Sequence, residues 1–207
     1  MHIAKKLKGY INEIIEFGAC KVDKDFNVID EFSVIVKAQV GKKLQGRVKA
    51  LTHITNEDIS NGVPLFLKPF QCLEIGSVTM KMCSFLWGDG DIRTLIKNYE
   101  FFLKKNRIPF VNNYCDAQKY CQSFIPSASS SQQIGLSAAA FELGVNPDEF
   151  PHHRALDDSL LTAACLKMVN DSERLKRFIT PCNRVFYEKL AYKPHIIRDI
   201  DNPIVDR

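Results

Sequence analysis

Two short stretches of the sequence place acidic residues where a strand or a loop gives way to a helix. Residues 87–91 read Trp-Gly-Asp-Gly-Asp after an apolar run, and residues 153–158 read His-Arg-Ala-Leu-Asp-Asp at the start of the longest predicted helix. A carboxylate at an apolar junction is costly unless a cation, a helix N-terminus or a hydrogen bond compensates for it. Negative charge also suits the first turn of any helix. Each stretch taken alone therefore leaves a cation site and an ordinary helix cap open.

The first third of the chain predicts a β-hairpin followed by short helices. Tyr10 to Val22 and Phe26 to Val36 are rich in β-formers and flank the polar turn at 23–25, so we expect them to pair antiparallel. Thr55 and Asp58 have the spacing of a capping box, which predicts a helix that begins there. A second helix is predicted over 64–75.

The rest of the chain alternates predicted strands and helices. The strands are expected at 84–87 and 109–111, and the helices at 92–103, from Asp116 to Phe124, at 136–143 and at 154–169. This alternation predicts an α/β fold with a mixed sheet. Ligands of such sheets gather at the carboxyl ends of strands, and Asp91 lies just past one such end.

Composition excludes several classes of protein. The chain has 207 residues, a net charge of +4, 45% hydrophobic and 25% charged residues, which is typical of a globular protein. No segment reaches the roughly 20 apolar residues of a membrane span, and no apolar signal region follows the basic N-terminus, so we expect a cytoplasmic protein. Seven cysteines without a Cys-x-x-Cys pair argue against a disulfide framework and a zinc site.

Four motifs in order resemble the DEDDh 3′–5′ exonucleases, the group of RNase T, oligoribonuclease and proofreading subunits. Residues 13–19 (Glu-Ile-Ile-Glu-Phe-Gly-Ala) are similar to the family's second strand, and 51–59 to the loop after its hairpin. Residues 87–91 resemble the motif of the second metal-site aspartate, and 153–158 the last motif, a histidine followed five residues later by aspartate. Within the family, Trp-Gly-x-x-Asp resembles the KapD-like and histone-mRNA-exonuclease-like branch.

The resemblance implies a ribonuclease H-like fold and a metal-dependent 3′–5′ exonuclease that releases nucleoside monophosphates from single-stranded DNA or RNA 3′ ends. In the family, four carboxylates hold two Mg²⁺ or Mn²⁺ ions. Asp91 and Asp158 would be metal ligands here, and His153 the general base. His152 is the rival of His153, and Asp157 the rival of Asp158.

The resemblance also implies a nucleic-acid surface. Arg154 is a candidate phosphate ligand, and a structural role is the open alternative. Phe17, Thr52 and His53 lie where the family packs its terminal bases. For Phe17, core packing is the competing role and the one we favour.

One family motif is missing from the sequence. The family's first strand carries Asp-x-Glu, whereas this chain has no acidic residue before Glu13. We therefore predict that two of the four metal ligands and the central first strand are absent from this sequence. The exonuclease domain is predicted at 9–172, incomplete at its N-terminus, and a polar, irregular C-terminal extension is predicted at 173–207. We expect that the sequence starts at an internal methionine of a longer exonuclease. The alternative is a non-catalytic nucleic-acid-binding pseudonuclease.

Overall fold

The computed structural model describes residues 12–41, 43–64, 83–105, 107–108, 111–126, 128, 132–150 and 153–191. The strands are β1 (Glu16–Val22), β2 (Val28–Ile35), β3 (Cys83–Leu86), β4 (Asn113–Asp116) and β5 (Ile179–Pro181). The helices are α1 (Gly46–Thr52), α2 (Asn56–Asn61), α3 (Gly90–Leu103), α4 (Ala117–Gln122), α5 (Leu136–Glu142), α6 (Ala155–Met168), α7 (Ser172–Lys176) and α8 (Arg184–Ala191), with a 3₁₀ turn at Pro147–Glu149. None of the helices in these ranges is both long enough and apolar enough to cross a bilayer.

The predicted hairpin is confirmed. β1 and β2 pair antiparallel from Glu16 opposite Ile35 to Val22 opposite Val28. The carboxylate of Asp23 accepts hydrogen bonds of 2.9 Å from the backbone N–H groups of Asp25 and Asn27, which closes the turn. An aspartate that binds the backbone two residues on is a common way to fix a turn.

The mixed sheet is also confirmed. β3 runs parallel to β4, with Leu86 opposite Asp116, and β5 pairs antiparallel with the other edge of β4. The strand predicted at 109–111 is wrong at Val111, which is irregular, because the strand begins only at Asn113. Pro109 and Phe110 lie outside the described residues.

Most predicted helices form close to their expected bounds. The capping box is present: the Thr55 hydroxyl accepts from the backbone N–H of Asp58, whose carboxylate accepts from the backbone N–H of Thr55. Asp116 caps α4, which ends at Gln122 rather than Phe124. The helix predicted over 64–75 falls almost wholly outside the described residues.

The expectation of an irregular C-terminal extension is wrong for residues 173–191. Ile179 pairs with Cys115 in the sheet, and Cys182 and Tyr187 are buried in the same hydrophobic cluster as α3. The guanidinium of Arg93 donates a 3.0 Å hydrogen bond to the carbonyl of Leu190, which joins α8 to α3. Residues 192–207 lie outside the described ranges.

Helix α6 packs across β1 and β2 and contacts α4 and α5. Gly18 permits this close approach, because a Cβ atom there would overlap the backbone of Ala155 and Leu156. The N-terminal turn of α6 is therefore held against β1. Residues 1–11, where the missing first strand would be sought, are outside the described residues, so its absence stays a prediction.

Candidate functional site

Asp91 is exposed in the first turn of α3, directly beyond β3. The turn before it is fixed at Gly88, which has a φ of +75° and whose carbonyl accepts a 2.9 Å hydrogen bond from the Tyr114 hydroxyl. The neighbouring Asp89 occupies the helix cap position without a capping hydrogen bond from its side chain, and instead pairs with Arg93 at 2.8 Å. The carboxylate of Asp91 thus projects at the carboxyl end of β3, as the sequence predicts.

His153 and Asp158 flank the start of α6. His153 has a left-handed backbone with a φ of +68°, so the chain turns sharply immediately before the helix. Asp158 lies in the first turn, and its backbone N–H donates a 3.0 Å hydrogen bond to the carbonyl of Arg154. His152 is outside the described residues. Asp157, the rival of Asp158, is half-buried.

The pKa of Asp158 is influenced by two other predicted site residues, His153 and Asp91. Surrounding protein atoms displace water from its carboxylate and raise its pKa, although the residue as a whole is exposed. His153 opposes this shift, both through its charge and through a hydrogen bond from its backbone N–H to the carboxylate, whereas the negative charge of Asp91 raises the pKa further. Asp91, His153 and Asp158 are therefore close enough for their charges to interact.

Arg154 faces β1. Its Nε and one terminal nitrogen lie 2.8 and 2.7 Å from Oε1 of Glu16, a residue 138 positions earlier in the chain. The hydrogen bond to Glu16 is the main reason that the pKa of Arg154 is raised, and the carboxylates of Asp157 and Asp58 add to it. Sequence reasoning missed Glu16 as a site-supporting residue, because nothing local in the sequence identifies so distant a partner.

The three predicted base-contacting residues differ in exposure. Phe17 is half-buried and packs against the core, with its ring 6.4 Å from that of Phe32. Thr52 is 1% exposed, and its hydroxyl donates a 2.8 Å hydrogen bond to the carbonyl of Val48. His53 is exposed and ends α1 in a left-handed conformation.

The residues at this site do not by themselves fit a two-metal centre. Among the residues that the structure describes, no three His, Cys, Asp or Glu side chains are grouped so that they could hold a metal ion. Asp91 and Asp158 provide two carboxylates, and hard divalent cations take more oxygen ligands than these supply. Glu13 binds the backbone N–H groups of Gln39, Val40 and Gly41, and Glu16 binds Arg154, so neither carboxylate is available.

A family model described as exonuclease, RNase_T, matches residues 6–166. The chain belongs to this exonuclease family. It is thus a member of a family of nucleic-acid hydrolases with 3′–5′ activity, whose members generally use divalent metals, and the DEDDh resemblance is confirmed.

Curated relatives agree with this assignment. The chain is 28% identical over 171 residues to a probable 3′–5′ exonuclease KapD of Bacillus subtilis, covering 81% of this chain and 78% of that protein. It is 29% identical over 160 residues to a PolC-type DNA polymerase III of Thermotoga petrophila. That match covers 74% of this chain but 10% of the polymerase.

Solved structures show the same fold. The nuclease domain of 3′hExo, a DEDDh family member bound to rAMP, superposes with a TM-score of 0.67 at 20% identity, covering 84% of this chain and 89% of that one. A 3′-exonuclease recognising a histone mRNA stem-loop gives 0.66 at 20% identity, over 84% and 79% of the two chains. The predicted ribonuclease H-like α/β fold is thereby confirmed.

Proposed function

We propose that this protein is a 3′–5′ exonuclease that releases nucleoside monophosphates from the 3′ ends of single-stranded DNA or RNA. The observation that carries the proposal is that both His153 and Asp91 act electrostatically on the carboxylate of Asp158, at the start of α6. Family membership supports the reaction class, and the electrostatic effect of His153 and Asp91 on Asp158 supports the place where the reaction occurs.

His153 would act as the general base. Histidine is the side chain most often used as a general base, because a neutral imidazole nitrogen can accept a proton from water. The water oxygen then bonds to the phosphorus of the last phosphodiester, and the bond from that phosphorus to the 3′ oxygen of the preceding nucleotide breaks. This oxygen takes up a proton from solvent and becomes the new 3′ hydroxyl of the strand, and a nucleoside 5′-monophosphate leaves. The backbone N–H of His153 binds the carboxylate of Asp158, which fixes the turn that presents the imidazole.

The ligands of the divalent ion are the second part of the proposal. Asp91 and Asp158 would bind Mg²⁺ or Mn²⁺, since carboxylate oxygens are the ligands these ions prefer. Because the two carboxylates alone do not complete such a site, we assign no catalytic step to the ion.

Contacts to the nucleic acid are the third part. The exposed imidazole of His53 suits stacking on a terminal base, and Thr52 lies directly before it at the buried end of α1. Phe17, the other sequence-based candidate, packs against the core. Arg154, the sequence-based candidate for phosphate contact, is bonded to Glu16 and is therefore left out of the proposed contacts. Solved structures of similar fold recognise a histone mRNA stem-loop or hold rAMP or duplex DNA with a 5′ overhang, which supports nucleic acid as the partner class.

The described cysteines are free thiols, which fits action in the reducing cytoplasm.

The test uses 5′-labelled single-stranded RNA and DNA with Mn²⁺, and identifies the released mononucleotides by chromatography. Asp158→Asn and His153→Gln should each lower the rate by about 10²-fold or more. Asp157→Asn is the matched control, because it removes the neighbouring carboxylate of the same helical turn and should keep the rate. Substrate ending in a 3′ phosphate should be digested more slowly than substrate ending in a 3′ hydroxyl.

A non-catalytic nucleic-acid-binding protein is the second candidate, favoured by one observation. Residues 1–12 contain no aspartate or glutamate, so this stretch of the sequence holds no Asp-x-Glu pair. Equal and negligible digestion by the unmodified chain and by Asp158→Asn, together with retained binding of a 3′-hydroxyl oligonucleotide in fluorescence anisotropy, would favour this candidate over the exonuclease.

A further inference from the structure

One carboxylate of β1 holds the start of the helix that carries the candidate site. Oε1 of Glu16 accepts hydrogen bonds from the guanidinium of Arg154, and Oε2 accepts one of 3.0 Å from the backbone N–H of Ala155. The Glu16 side chain is 7% exposed and that of Arg154 40% exposed. Charge-assisted hydrogen bonds of this kind, partly shielded from water, are stronger than neutral ones.

The hydrogen bonds of Glu16 lie at the first residues of α6, next to His153 and Asp158. The first amide groups of a helix have no partner within the helix, so the N–H of Ala155 depends on Glu16. Ala155 is two residues after His153 and three before Asp158. A shift of this amide would therefore move the imidazole and the carboxylate together.

The contact continues along β1. The Ser159 hydroxyl donates a 3.1 Å hydrogen bond to the carbonyl of Gly18, and Gly18 lies directly against Ala155 and Leu156. These contacts fix the distance between α6 and the strand. Glu16 also fixes the orientation of the first turn of α6, because its two carboxylate oxygens bind two successive residues, Arg154 and Ala155.

The same geometry bears on how Arg154 is used. Its guanidinium is already bonded to Glu16, and the carboxylates of Asp157 and Asp58 also act on it. A phosphate would have to compete with three protein carboxylates for this cation. A structural use of Arg154 therefore agrees better with its surroundings than a phosphate contact.

We propose that Glu16 and Arg154 are positioning residues, which orient His153 and Asp158 by tying the first turn of α6 to β1. The effect on catalysis rests on the proposed exonuclease function. The attachment of the α6 start to β1 through Glu16 does not depend on that function, and it is tested separately.

The kinetic test compares Glu16→Gln with Glu13→Gln. Both replace a buried glutamate of the same segment, but Glu13 binds the backbone at 39–41 and not α6. Glu16→Gln places an amide N–H₂ against either Arg154 or the Ala155 amide, both of which are donors. We expect it to lower kcat by about ten- to a hundredfold with KM within about twofold, because the reacting groups are misplaced while substrate binding remains. Glu13→Gln should keep kcat.

Arg154→Gln separates the two roles of the arginine. As a positioning residue it should reproduce the loss of kcat seen in Glu16→Gln. As a phosphate ligand it should instead raise KM and reduce the salt dependence of oligonucleotide binding. A raised KM with unchanged kcat in Arg154→Gln, and full kcat in Glu16→Gln, would overturn the proposal.

Amide hydrogen exchange tests the contact between Glu16 and the start of α6 without measuring nuclease activity. Exchange of the Ala155 amide, taken relative to that of Leu166 in the same helix, should accelerate at least about tenfold in Glu16→Gln and stay unchanged in Glu13→Gln. Equal Ala155 exchange in the two variants would refute the positioning role. If the unmodified chain releases no nucleotide, the exonuclease proposal fails, and the exchange rates still decide whether Glu16 holds the helix start.

Discussion

The side-chain oxygen of Asn98, in the middle of α3, accepts a 3.2 Å hydrogen bond from the backbone N–H of Ile14, just before β1. The side-chain nitrogen of Asn98 donates to the carbonyls of Asn12 at 2.7 Å and Thr94 at 2.8 Å. Asn98 is completely buried. One amide thus satisfies backbone groups at the entry to the hairpin and joins it to the helix that begins with the Asp91 turn.

Replacing Asn98 with alanine should lower the free energy of unfolding by about 2–4 kcal/mol, since it leaves the N–H of Ile14 and the carbonyl of Asn12 without this partner. Urea denaturation followed by circular dichroism measures the change. Asn170→Ala, at an exposed position, should cost less than about 0.5 kcal/mol. Similar costs for the two variants would contradict the role assigned to Asn98.

Replacing Gly18 with alanine should destabilise the protein by about 1–3 kcal/mol, because the new methyl group overlaps the backbone of α6. Gly46→Ala is a matched control, since a Cβ there meets no atom within 4 Å and the residue begins α1. We expect the control to be neutral or to stabilise by up to about 1 kcal/mol. Thermal melts of both variants distinguish the outcomes, and an unchanged melt for Gly18→Ala would be incompatible with the close approach.

Stability should fall at alkaline pH. Burial raises the pKa of Cys115 and Cys165 from 9.0 to about 12, and both are fully buried. Between these pKa values the unfolded chain loses the thiol protons while the folded chain keeps them, so the unfolded state gains stability as pH rises. Each thiol should remove about 1 kcal/mol between pH 8 and pH 10. Urea midpoints across this range give the slope, which Cys115→Ala should make shallower; an identical slope would argue against the shift.

Thiol alkylation should be selective. Cys20 is half-buried, whereas Cys115, Cys121 and Cys165 are completely buried. Burial raises the pKa of all four thiols. Iodoacetamide should modify the three buried thiols at least about a hundredfold more slowly than in urea, because they react only after opening. Peptide mass spectrometry reads the modification at each cysteine. Rapid labelling of Cys165 in the native protein would show that α6 opens more easily than its packing indicates.

The sequence predicts the elements whose signals are local. Three such elements are the Asp23 turn, the Thr55–Asp58 capping box and the long helix over residues 155–168. Each depends on residues a few positions apart. The order of acidic motifs likewise identifies Asp91, His153 and Asp158 as candidates, and in the structure Asp91 and His153 both act on the pKa of Asp158. Their assigned chemical roles remain predictions.

Other features depend on partners far away in the sequence. β4 contains Asn113 and Asp116, and becomes a strand because β3 and β5 pair with both of its edges. Residues 173–191 look polar, yet Cys182 and Tyr187 are buried in a core cluster that also contains residues of α3. The Glu16–Arg154 pair spans 138 positions. No local pattern predicts pairings of this length.

The pairing of β5 with β4 affects how the protein should be shortened for expression. The family match ends at residue 166, and a chain cut there would lose β5 and α8. The backbone of Tyr114 and Cys115 would then present a bare strand edge, a template onto which other chains can add. We expect such a product to aggregate, and recommend that recombinant versions retain residue 191 and everything before it.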